Sequence, residues 1–349
     1  GGDTYELSGF ILDEEVGPPD EGFSLEESEL AVSANIDDRF YGFLTAALEE
    51  EAGDTEVELE EAWFQTLSLP AGLSFKAGKF LSAVGYHNSF HPHSWHFADA
   101  PLAYDALLGG DLADAGLQGR WLAPTDLFVE LGAEALRGDA FPAGGAANDG
   151  VGSYSAFVKT GDDLGTENSW KAGISYLHYD AEGRTSAVGE TDTLSFDGNG
   201  EVWILEAVWK WSENGNPKLR NLILQGEYLR REENGKLVLG ATATEEGSVD
   251  TTQDAFYLHG VYQFVPGWRF GLRYDRLKAD NSVAGLTAAT ALDGDDRSPE
   301  RWTAMADYSP SEFSRLRLQL SEDSSSADSD TRLILQYVMS LGSHGAHSF

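Results

Sequence analysis

Apolar and polar positions alternate along most of this chain. Val57, Leu59 and Trp63 interleave with Glu56, Glu58 and Glu60; Leu127, Val129, Leu131 and Ala133 with Glu130 and Glu134; Leu316, Leu318 and Leu320 with Arg315, Arg317 and Gln319. A period of two sends successive side chains to opposite faces of a strand, and about ten residues suffice to cross a bilayer at a tilt. The spacing predicts sixteen strands, near 4–12, 24–36, 39–50, 56–69, 72–82, 113–122, 126–137, 152–161, 168–180, 201–212, 218–232, 252–264, 267–279, 300–309, 312–322 and 330–341. An even number lets a closed antiparallel barrel keep both termini on one side.

Short turns alternate with longer connections. The turns are Asp37-Asp38, Leu69-Pro70-Ala71-Gly72, Ala123-Pro124-Thr125-Asp126, 161–167, 212–217, Val265-Pro266-Gly267 and Ser309-Pro310-Ser311; the loops lie near 13–23, 83–112, 138–151, 181–200, 233–251, 280–299 and 323–329, with 51–55 short. Short periplasmic turns facing long external loops are the outer-membrane pattern. A soluble sandwich gives no such alternation. Trp63, Phe64, Trp121, Trp170, Tyr176, Trp203, Trp209, Trp211, Trp268, Tyr274, Trp302 and Tyr308 sit near strand ends, as interfacial girdles require. The expected fold is therefore all-β: one transmembrane antiparallel barrel of about sixteen strands across 1–349, in the bacterial outer membrane.

Composition narrows the partners. With 23 basic and 59 acidic residues the formal net charge is −36, which argues against nucleic acid and suits cations, small solutes and lipid headgroups bridged by divalent ions. Cysteine is absent, removing disulfides and thiolate sites. The opening Gly1-Gly2-Asp3 has no signal-peptide character, as in a mature chain. No GxSxG, HExxH or Walker pattern occurs, so an enzyme is not expected.

Leu48-Glu49-Glu50-Glu51, Val57-Glu58-Leu59-Glu60-Glu61-Ala62, Leu69-Pro70-Ala71-Gly72-Leu73, Lys76-Ala77-Gly78-Lys79-Phe80, Asn88, His91-Pro92-His93-Ser94-Trp95, Asp99-Ala100-Pro101-Leu102 and Trp121-Leu122-Ala123-Pro124-Thr125 resemble a proteobacterial family often labelled zinc-regulated TonB-dependent outer membrane receptors. The resemblance implies an outer-membrane barrel linked to zinc. TonB-dependent receptors join about 22 strands to a plug domain. This chain is too short for both, so plug and TonB coupling are not expected.

Two sets of residues carry candidate chemistry. The segment 83–112 is placed like the loop that narrows general porins, with a short helix expected in 99–110, closed by Gly109-Gly110. It holds His87, His91, His93 and His96, which with Asp99 form a candidate site for zinc or a similar ion; a structural role for these His is the competing reading. The second set lines the lumen by phase: Glu27, Glu29, Glu56, Glu58, Glu60, Glu130 and Glu134 against Arg120, Arg269, Arg273, Arg315, Arg317 and Arg332. Such walls either set a field across water or pair and fill the interior. The expected function is a porin-like channel for small hydrophilic solutes, biased to cations, with divalent metals such as zinc among the candidates. The alternative is a barrel that docks a partner protein through its loops. No cofactor is required, calcium on the loops stays open, and so does a homo-oligomer, although the short 51–55 loop argues against a porin-type trimer.

Overall fold

A computed structural model describes residues 5, 7–13, 16–18, 21–25, 28–51, 54–145, 150–188, 192–240, 245–286, 292, 298–325 and 329–342. Among these, fifteen strands form one sheet in chain order, each antiparallel to the next. They are β1 (Ser28–Asn35), β2 (Phe40–Glu51), β3 (Asp54–Thr66), β4 (Leu73–Leu81), β5 (Ala113–Leu122), β6 (Phe128–Leu136), β7 (Ser153–Leu164), β8 (Asn168–Val188), β9 (Asp192–Ser212), β10 (Asn221–Leu239), β11 (Glu245–Val265), β12 (Trp268–Ala284), β13 (Glu300–Ser311), β14 (Ser314–Asp323) and β15 (Asp330–Met339). The expected barrel architecture holds, and fifteen of the sixteen expected strands are present.

No strand forms among the described residues of the expected first strand, 4–12. Leu7, Phe10, Ile11 and Leu12 are buried inside the sheet rather than paired with it. Their apolar side chains have an interior cluster to join, which outweighs adding an edge strand. The consequence is an odd count. β1 and β15 run in the same direction, and no pairing between them occurs among the described residues. The sheet nevertheless curls through a full turn, because one internal loop contacts strands from β1 to β14, as shown below.

Several connections are shorter than the sequence suggested. β8, β9 and β11 each run 21 residues, and β10 runs 19, roughly twice the 9–11 that cross a bilayer. Much of what reads as loop in 181–200 and 233–251 is hairpin extension. The cause is a second interior cluster, in which Leu194, Phe196, Leu237, Leu239 and Val249 continue the inward alternation and pack on Ile11 and Leu292.

The outward face marks where lipid lies. Ile174, Leu205, Leu224, Leu258, Leu272, Leu318 and Leu335 are exposed, which in a protein this polar makes sense only against hydrocarbon. One aromatic level pairs Tyr176 with Trp203 at 4.7 Å and Tyr274 with Trp302 at 4.5 Å; a second pairs Trp268 with Tyr308 at 4.7 Å. Just beyond the first level the outward positions turn charged, at Glu201, Arg230, Asp254, Arg276 and Glu300. The hairpin extensions therefore stand clear of the membrane. Trp63 leaves the girdle and points inward, stacked on Phe43 at 5.2 Å with Lys76 Nζ 4.3 Å from its ring centre.

This outward face yields a direct test. Leu272→Arg puts a cation at mid-band and should lower the unfolding free energy in liposomes by about 2–4 kcal/mol. Lys278→Arg, on the extension of the same strand, should leave it unchanged.

Candidate functional site

After Leu81 the chain turns into the barrel and leaves it only at Ala113. The neck of this loop is held by Asn88, whose Nδ2 donates to the carbonyls of Ser82 and Leu112 at 2.9 Å each and whose Oδ1 accepts from Leu112 N at 2.7 Å. Inside, backbone groups must find partners that water would otherwise supply. The wall supplies them. Glu134 on β6 accepts from Ala83 N at 2.8 Å and from the Ser82 hydroxyl. Glu227 on β10 accepts from Tyr86 N (3.0 Å), His87 N (2.8 Å) and the Tyr104 hydroxyl (2.9 Å). Lys159 on β7 donates to Gly85 O at 2.7 Å. Gly85 has φ +68°, and a Cβ there would lie 2.2 Å from the Tyr104 hydroxyl and 2.5 Å from Glu227. Only glycine lets the loop approach the carboxylate.

The loop then forms one short helix, α1 (Leu102–Leu108), closed as expected by Gly109 at φ 73°. Asp275 on β12 accepts from Leu102 N at 3.1 Å, so a wall carboxylate does the work of a helix cap. Leu102, Leu107 and Leu108 pack with Leu177, Val202, Ile204, Leu229 and Leu277 of the wall. The N-terminal segment completes this cluster with Leu7, Phe10 and Leu12. The carbonyl of Gly9 accepts from Gln253 (2.8 Å) and Asn281 (2.9 Å), and Arg301 donates to the Tyr5 hydroxyl at 2.9 Å. The sector of the lumen against β8–β12 is therefore filled by an apolar core.

The wall from β12 round to β6 is charged, and its charges are largely spoken for. Arg273 and Arg301 meet Asp99 at 2.8 and 3.0 Å. Arg315 and Arg317 donate to the carbonyls of His93 (2.6 Å) and Trp95 (2.8 Å). Arg269 and Arg317 share Asp307, Arg332 reaches Asp330 at 2.7 Å, and Arg120 lies 3.8 Å from Glu130. Glu58 pairs with Lys79 at 3.1 Å. Of the two lumen arrangements expected from phase, facing walls across open water do not form. These charges bond to neighbours and to the loop. Glu27 and the Glu56 side chain lie outside the described residues.

The five candidate metal ligands are divided among four places. His87 is buried between Trp95 (4.7 Å) and Tyr104 (4.8 Å), and His96 stands against His259 at 5.4 Å. Burial, with the nearby cations and His259, holds both imidazoles well below their usual range, so they are neutral packing groups. The carboxylate of Asp99 is occupied by its two arginines and by Gln319 at 2.8 Å; burial works against ionisation, but the arginines outweigh it and hold its pKa below the usual value.

His91 and His93 do come together, with rings 5.9 Å apart and nearly parallel. Their partners are carboxylates that spacing alone assigned to the lumen wall: His93 Nδ1 is 2.6 Å from Glu29, and His91 Nδ1 is 3.8 Å from Glu60. A further partner escaped the sequence reading. His91 Nε2 is 3.0 Å from Glu61, which strict alternation sends to the lipid face. A bulge in β3 leaves Glu60 as an extra residue between the pairs Ala46–Leu59 and Thr45–Glu61 and re-phases the strand. The doublet Glu60-Glu61 breaking the alternation was the available signal. Burial disfavours a charged His91, yet Glu60 and Glu61 outweigh it and raise its pKa to about 11.

No family model matches the chain. Solved structures with the same fold include the loop L8 deletion mutant of OmpT, an outer membrane protein of Vibrio cholerae (TM-score 0.57, 14% identity, covering 94% of this chain and 93% of that one). The outer membrane channel DcaP of Acinetobacter baumannii gives a TM-score of 0.51 at 12% identity over 95% and 91% of the two chains. OprB of Pseudomonas putida gives 0.51 at 10% over 85% and 81%. These likenesses, with the apolar belt and its girdles, place the chain among outer-membrane β-barrels; the narrower zinc-regulated receptor label finds no support in them. An uncharacterized protein of Aquifex aeolicus is 33% identical over 94% of this chain and 70% of its own length. The chain belongs to the same family as that Aquifex protein, a family whose fold is the outer-membrane antiparallel β-barrel.

Proposed function

We propose that the protein is a porin-like channel for small hydrophilic solutes, whose passage is narrowed by the in-folded loop 82–112 and the segment 5–12 packed on it. The observation that carries this reading is the bonding of that loop to the wall on every side, from Glu29 on β1 to Arg317 on β14. A loop so anchored divides the lumen and leaves the path to run beside it. The lumen is too occupied for the wide aqueous pore of a general diffusion porin.

The expected cation bias takes a different basis from the lumen rows. Glu29, Glu58 and Glu60 each have a cationic or imidazole partner. The exposed excess of acid lies instead on the hairpin extensions, at Glu182, Asp197, Glu246, Asp250 and Asp280. An acidic mouth concentrates cations before they enter, divalent ones most. The rival reading, a closed barrel that docks a partner through its loops, draws on the continuous apolar core against β8–β12.

Two measurements in planar bilayers follow. Asp99→Ala leaves Arg273 and Arg301 without their shared carboxylate; it should cost about 3–5 kcal/mol of stability and raise single-channel conductance as the loop loosens. No conductance in either protein favours the docking barrel. Reversal potentials in a KCl gradient should show cation preference that shrinks with salt, because the screening length falls from about 30 Å at 0.01 M to about 10 Å at 0.1 M. Chloride preference would refute the acidic-mouth argument.

A further inference from the structure

The turn His91-Pro92-His93 sits where the sheet lacks a seam. β1 and β15 are unpaired among the described residues, yet His93 reaches Glu29 on β1 with its side chain and Arg315 on β14 with its carbonyl. Glu29, Glu60 and His91 each offer a ligand atom here, all within 4.8 Å of one another. Glu60 Oε2 is buried with no hydrogen-bond partner, a costly state for a carboxylate oxygen unless something else binds it.

We propose that Glu29, Glu60 and His91 bind a divalent first-row transition metal such as zinc, which ties the loop to β1 and β3 across the open seam. One imidazole nitrogen with two carboxylates suits such ions better than the all-oxygen sets of calcium or magnesium. The surroundings already have the form a metal site needs. His91 donates its Nε2–H to Glu61, and Nδ1 faces Glu60, so the metal coordinates Nδ1 by displacing the proton held there. A carboxylate behind a ligating histidine fixes its tautomer and orientation. His93 does the same for Glu29, donating to its Oε1 at 2.6 Å. Tetrahedral zinc places neighbouring ligands roughly 3.4 Å apart, from bond lengths of about 2.0–2.2 Å. The three atoms must close by little more than 1 Å, within the reach of side-chain rotation, and the fourth position is left to water. Pro92 holds His91 extended, at φ −66° and ψ 156°, where it caps the single 3-10 turn Pro92–Ser94 that carries His93. The site does not depend on the channel reading, since binding is measured without flux.

The test uses the full chain folded in detergent micelles and stripped with EDTA. Calorimetric titration with zinc should give one equivalent per chain, and the melting temperature should rise with zinc concentration as for any ligand of the folded state. Glu29→Gln with Glu60→Gln should abolish both effects while retaining heat-modifiable migration on gels. Glu61→Gln should keep the stoichiometry and weaken affinity by about 10–100-fold, the usual effect of losing a partner behind a ligand. Unchanged zinc uptake in the double variant, equal stabilisation by calcium, or no binding at all would overturn the proposal. Should the double variant fail to fold, X-ray absorption at the zinc edge of the unaltered protein decides: one imidazole among oxygen ligands supports the site, and two or more imidazoles or none refute it.

Discussion

A chain segment that enters a barrel loses water for every backbone amide it carries. The 82–112 loop meets that constraint with carboxylates of the wall: Glu134 takes Ala83, Glu227 takes Tyr86 and His87, and Asp275 takes Leu102 at the start of α1. Hydrogen bonds to charged groups contribute about 1.5–3 kcal/mol each, and removing one of these acids would strand several donors at once. The rest of the interior follows from this. Once the loop is fixed, its apolar side offers Leu102, Leu107 and Leu108 to Leu177, Val202, Ile204, Leu229 and Leu277 of the wall, and the N-terminal segment finds a surface to join. The wall and the loop are one core, built inside out relative to a soluble protein.

The same loop compensates for the odd strand number. A meander of fifteen strands brings two parallel edges, β1 and β15, face to face, and among the described residues they do not pair. The His91–Trp95 stretch bridges that gap through Glu29, Glu60 and Glu61 on one side and Arg315 and Arg317 on the other. Closure and constriction are therefore the same structural event. Opening the passage widely would also release the seam.

The barrel was legible because lipid imposes a strict rule: the outward face must be apolar at every second residue, and strands from β2 to β15 obey it. The length of β8–β12 was not legible, because beyond the membrane the inward face stays apolar while the outward face turns polar, which reads as irregular loop. Nor was the fate of 4–12. An amphipathic stretch such as Tyr5 to Leu12 fits a sheet edge or an interior cleft equally well, and only the cluster waiting inside decides. Spacing did not tell which imidazoles of the His-rich loop come together. His91 and His93 lie side by side, but His87 and His96 are packed among aromatics and Asp99 belongs to arginines. Side chains four or five residues apart on an irregular loop diverge in ways no period describes. Glu61 was hidden by the bulge at Glu60, since a single extra residue reverses every face assignment after it.

The loop is bound inside the barrel by wall side chains, and amide hydrogen exchange on the folded protein tests this residue by residue. The amides of Ala83, Tyr86, His87, Ala98 and Leu102, each donating to a wall side chain, should exchange as slowly as those of the neighbouring strands. Glu227→Gln should selectively speed exchange at Tyr86 and His87. Exchange of all five at the rates of an exposed loop would show that the segment does not occupy the lumen, and the account of constriction and seam closure would fail with it.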